Sequence, residues 1–129
     1  MKDNNWMVRF SNNGTAYGGF TWQPIGEWTT APDWDPTPEC GNGLHGQGPG
    51  GWGYYQKGSR FELVQTKGKR VSIDGDKIKV KSGKIIAVDT EAWQITITLT
   101  SGKFPGSVDL KGYNHPLPDG LTSIGGYVY

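Results

Sequence analysis

The residues with the most chemistry per position lie between 31 and 46, in APDWDPTPECGNGLHG. Asp33, Asp35 and Glu39 stand there beside Cys40, the only cysteine, and His45, one of two histidines. Three chemistries are open to such a set. The carboxylates offer hard oxygens to calcium, but an EF-hand loop needs a glycine at its sixth position and a bidentate Glu at its twelfth. Neither spacing is present. A structural zinc site takes four ligands, and Cys40, His45 and His115 are the only Cys and His residues in the chain. No metal and no cofactor are therefore predicted. A Cys40–His45 nucleophile pair needs a thiolate in an electropositive setting, whereas Cys40 follows Glu39 in the acidic part of the chain. Those two residues are the only catalytic candidates, and they do not make a complete set.

The same stretch is better equipped to recognise than to react. Pro32, Pro36 and Pro38 stiffen it and push the preceding residues toward extended backbone. Gly41, Gly43 and Gly46 then permit tight turns or close approach. Large aromatics follow, and a flat surface of rings and glycines can stack a base or a sugar. The candidate ligand-binding residues are Trp34, His45, Trp52, Tyr54 and Tyr55. The run GQGPGGWGYY (46–55) has neither the Walker spacing nor a following helix, so it is not a phosphate cradle.

Charge points to one further group. The net charge is +1, which supplies no global field for nucleic acid or membrane. Residues 57–84 nevertheless carry nine basic against three acidic groups. Lys77, Lys79 and Lys81 share one face of a short strand, either as phosphate contacts or as a solvated face, and the first two join the candidate ligand set. Sequence-specific nucleic-acid binding is not expected. The first ten residues, MKDNNWMVRF, lack a secretory apolar run, and no stretch approaches the ~18 apolar residues of a membrane span. With a single cysteine excluding an internal disulfide, a soluble cytoplasmic protein is expected, in a host cell if the gene is carried by a phage.

These side chains must be positioned by strands. RFELVQT (60–66), KRVSI (69–73), KIKVKS (77–82) and KIIAVDT (84–90) are β-rich runs punctuated by KGK, DGD and SGK. AWQITITLT (92–100) alternates, with Trp93, Ile95, Ile97 and Leu99 on one side and threonines on the other. WMVRF (6–10), GGFTWQPIG (18–26), SVDLKGY (107–113) and the terminal GGYVY are weaker strand candidates. No helical periodicity emerges. The prediction is a mainly β single domain over 1–129 made of short antiparallel strands. It has a β-meander at 60–100, little helix, and a long Gly/Pro/Trp-rich loop at 27–58.

The PDWDP-x-P-x-CG-x-GLHG pattern resembles an uncharacterised bacterial and phage domain family over about residues 18–88. A second, structural resemblance is to ADP-ribosyltransferase-like folds. It implies Gly41, Gly43, Leu44, His45 and Tyr55 near an NAD-shaped cleft, although GPGGWG stands where a helix would be and neither Glu62 nor Glu91 is assignable as catalytic. The reading that follows is a small non-enzymatic binding protein, phage-encoded on the first resemblance. Its loop would take a nucleotide-like ligand or a partner protein. Two alternatives stay open: a divergent NAD-using transferase, and a virion or filament subunit that self-associates.

Overall fold

The computed structural model describes residues 5–15, 19–49, 51, 55–75, 77–104, 107–118 and 123–124. In chain order the elements are β1 (Trp6–Ser11), β2 (Trp28–Thr30), β3 (Leu44–Gly46), β4 (Tyr55–Lys57), β5 (Arg60–Lys67), β6 (Val71–Ile73), β7 (Lys77–Val80), β8 (Ser82–Val88), α1 (Asp89–Thr100), β9 (Lys103–Phe104), β10 (Ser107–Asp109) and β11 (Ser123–Ile124). A four-stranded antiparallel sheet runs β1-β5-β8-β2, and a three-stranded antiparallel sheet runs β3-β7-β6. Two short parallel pairs, β4 with β10 and β9 with β11, complete the strands among the described residues. The mainly β expectation therefore holds. Among the described residues no helix is long and apolar enough to cross a membrane.

The large sheet is covered on both faces, which is why β1 is buried at all six positions. Trp6, Val8 and Phe10 point to one side with Phe61, Leu63 and Ala87, under Ala92 and Trp93 of α1. Met7 points to the other with Val64 and Ile85, against Leu44, Ile78 and Val80 of the small sheet. A register shift after Leu63 pairs it with Ala87 and Val64 with Ile85, skipping Ile86. That bulge turns two residues of like parity to opposite faces.

The strands from 60 to 88 do not form one meander. β6 and β7 leave as a hairpin for the small sheet, and β8 returns to β5. The hairpin turns at Asp74 (φ 52°) and Gly75 (φ 76°), two successive left-handed residues that match the strand twist. SGK is no turn, because Gly83 lies inside β8. A Cβ there would come within 2.9 Å of Val64 and 3.2 Å of the Trp22 ring.

Two further expectations are corrected. The run 92–100 is not a strand but most of α1. Its threonines are reconciled with the helix by back-bonding: Thr96, Thr98 and Thr100 hydroxyls donate to the carbonyls of Ala92, Gln94 and Thr96 at 2.7, 3.2 and 2.8 Å. Asp89 and Glu91 sit in the first turn, where carboxylates favour the helix dipole, and Ser101 (φ 57°) caps the end. The segment 27–58 is likewise not without regular structure, since β2, β3 and β4 lie within it. Of GGFTWQPIG, the described residues 19–26 hold only an isolated bridge from Thr21 to Thr15. GGYVY lies outside the described residues.

Candidate functional site

A cleft of about 700 Å³ opens between β1, β4 and the 31–45 segment. Its apolar wall is Phe10, Phe20, Trp22 and Leu44, while Arg9, Lys57 and Lys77 supply cationic groups and Asp33 an acidic one. The Pro/Gly segment is ordered by its own backbone. Asp35 Oδ1 accepts the Thr37 N–H at 3.0 Å, which holds the Asp35 carboxyl below the usual carboxylate range. The Asp35 N–H reaches Asn42 O at 3.1 Å. Gly41 (φ 92°) and Asn42 (φ 54°) make the tight reversal that brings Cys40 and His45 to the cleft wall.

The structure separates the predicted ligand set. His45, Lys77 and the catalytic candidate Cys40 line the cleft. Trp34 does not; it is half-buried against the turn, where a Cβ on Gly43 would lie 3.1 Å from its ring and 3.2 Å from Lys79 Cδ. Tyr55 opens β4 beside the cleft-lining Gln56, with its side chain outside the described atoms. Trp52 and Tyr54 lie outside the described residues. The lysine stripe is not a uniform solvated face. Lys81 is exposed, but Lys79 is 0% exposed, its Nζ donating to Gly41 O at 3.1 Å with the Trp34 ring centroid 5.8 Å away. Lys77 Nζ stands 2.9 Å from Cys40 Sγ. Both ammonium groups thus serve the 40–43 turn.

His45 is held neutral. Burial, then the charges of Lys77 and Lys79, lower its pKa to about 4, against a smaller pull from Asp33. The Gly41 N–H donates to its Nε2 at 3.2 Å, which requires an unprotonated nitrogen there. That acceptor is already used, so His45 clasps the turn instead of offering a free base. Because the folded pKa lies below the unfolded value, the stabilisation is complete above about pH 6.5. It is lost as pH falls toward 4. Allowing for partial exposure, about 1–3 kcal/mol is involved. Thermal melts from pH 7 to 5 should show wild type losing stability relative to H45Q, whose amide keeps an acceptor without titrating. Parallel curves would exclude the clasp.

Sequence reasoning missed the cleft floor. Arg9 and Glu62 are cross-strand partners at 3.0 Å, with Glu62 fully buried. Ser11 Oγ donates to Glu62 Oε2 at 2.6 Å and Arg60 Nε at 2.7 Å, while the Arg9 guanidinium lies 4.3 Å from the Trp22 ring centre. Gln56 Oε1 accepts the Phe10 N–H at 2.9 Å. The available signal was an arginine inside the apolar run WMVRF and a glutamate inside RFELV, each too costly to bury alone. Among the described residues no three His, Cys, Asp or Glu side chains gather as a metal site. Comparison with family models, curated proteins and solved structures finds no match to this chain, so the cleft is interpreted through its own residues.

Proposed function

We propose that this protein binds a small, ring-bearing anion of nucleotide-like chemistry in the cleft, without turning it over. The observation that carries the reading is the cleft itself, lined by the apolar Phe20 and Trp22 together with Lys57 and Lys77. Its size matches ordinary small-molecule sites, which are mostly apolar with a few placed polar groups. A ring lies on Phe20 and Trp22, and a phosphate meets Lys77 at the Cys40–Gly43 turn. The occupied acceptor of His45 favours binding over acid–base chemistry. The resemblance of the 31–46 segment to phage domains supports a phage-encoded protein of the host cytoplasm.

Calorimetric titration with AMP, ADP, ATP and NAD tests this. A charge-assisted contact contributes about 1.5–3 kcal/mol, so Lys77→Ala should weaken binding at least tenfold. Phe20, 38% exposed at the cleft, is replaceable without opening the core. Phe20→Ala should cost several-fold in affinity with an unchanged melting temperature. Millimolar nucleotide giving no heat, or Lys77→Ala binding as wild type, would overturn the reading. Turnover of NAD that disappears in His45→Ala would replace it with the transferase alternative.

A further inference from the structure

A second feature, independent of the cleft, lies at the edge of the large sheet. Trp28 on the outermost strand β2 pairs directly with Lys84 of β8, which pairs with Gln65 of β5. The next row in phase is Thr30, Ser82 and Lys67. Pleating puts these rows on one face of the sheet. Lys67 Nζ sits 4.0 Å and Lys84 Nζ 5.0 Å from the Trp28 ring centre. The indole is only half-buried, Lys67 is exposed, and Lys69 and Lys81 are exposed on the adjoining turns. Among the described residues neither Lys67 nor Lys84 is part of an ion pair. Glu27, next to Trp28, is the nearest acid in sequence.

We propose that this face docks single-stranded nucleic acid independently of sequence. Two ammonium groups converging on one ring, with no ion pair to either among the described residues, complement a chain that repeats anion and ring. Lysines resting on an indole give up only a weak contact at an exposed site. When they swing to two phosphates, the ring is uncovered for a base to stack on. An acidic protein would take the lysines but leave the indole unused.

Fluorescence anisotropy with a labelled oligonucleotide of about twelve thymidines provides the test. Two phosphate contacts on a single strand give a log–log salt slope of about −1.4, so raising salt from about 50 to about 200 mM weakens binding about sevenfold. K67A/K84A should bind at least tenfold more weakly at low salt and lose most of the slope, and arginine at both positions should restore it. Trp28→Leu should lose about tenfold in affinity and keep the slope. Melting temperatures of all variants, read alongside, separate lost contacts from lost fold. The proposal fails if the oligonucleotide does not bind at low salt or if folded K67A/K84A binds like wild type. It also fails if polyglutamate of equal charge competes as well as the oligonucleotide.

Discussion

Glu62→Ala should destabilise the fold by about 3–5 kcal/mol, read as a lower urea midpoint. Glu62 is fully buried and receives Arg9, Arg60 and Ser11. Removing it takes the carboxylate away from the guanidinium of Arg9, itself only 4% exposed. The loss is large because a buried charge without its counter-ion keeps its desolvation cost and forfeits its compensation. Arg9→Met with Glu62→Leu removes both charges and should recover more than half of the loss, since apolar replacement of a buried pair is often close to neutral. A single-site loss below about 1 kcal/mol would show that water reaches the pair.

Trp93→Ala should cost a similar ~3–5 kcal/mol, the range for truncating a buried large aromatic. Trp93 stacks on Phe61 with ring centres 3.8 Å apart and planes at 13°, and meets Phe10 edge-on. Its indole N–H donates to Tyr113 Oη at 2.8 Å. Burial pushes the Tyr113 hydroxyl above the usual phenol range, so it accepts that bond as a protonated group. Truncation thus leaves a cavity and removes one of the two hydrogen-bond partners of the Tyr113 hydroxyl, the other being Asp89. Trp93→Phe keeps a smaller ring on the stack and loses the N–H donor, with an expected cost of about 1–3 kcal/mol. Equal losses for the two variants would show that the hydrogen bond, and not the stack, anchors α1. Denaturation followed by circular dichroism measures both.

How far the sequence reveals this arrangement depends on how many elements each residue answers to. The strands at 6–10, 60–66 and 77–80 are legible because β-rich runs lie between turn formers, and Asp74–Gly75 turns where its letters place it. AWQITITLT misleads because its alternation is genuine, yet the Phe61 and Tyr113 rings select the stripe Ala92, Trp93 and Thr96 instead. Tertiary packing overrides local preference there. Strands of three residues, such as β2, β3 and β4, carry too few positions to display a period. The 31–46 segment announces itself by composition, and it does form a cleft wall. Its aromatic partners do not, because Phe10, Phe20 and Trp22 come from ordinary-looking stretches that only the sheet brings together. Lys79 shows the same limit, since nothing in KIKVKS distinguishes a lysine that holds a turn carbonyl from one facing water.

β1 is made before anything it rests on. Its ladder joins Trp6 to Gln65 and Ser11 to Arg60, and Val8 also exchanges both backbone bonds with Gln47, at 2.7 and 2.9 Å. A ribosome must therefore extend an apolar strand through some fifty further residues before its mate exists. Contacts of such sequence separation make for slow assembly. Until Gln47 and then β5 emerge, WMVRF is an unpaired edge open to other chains. The element that roofs both halves of the core is thus also the one most exposed to misassembly during synthesis.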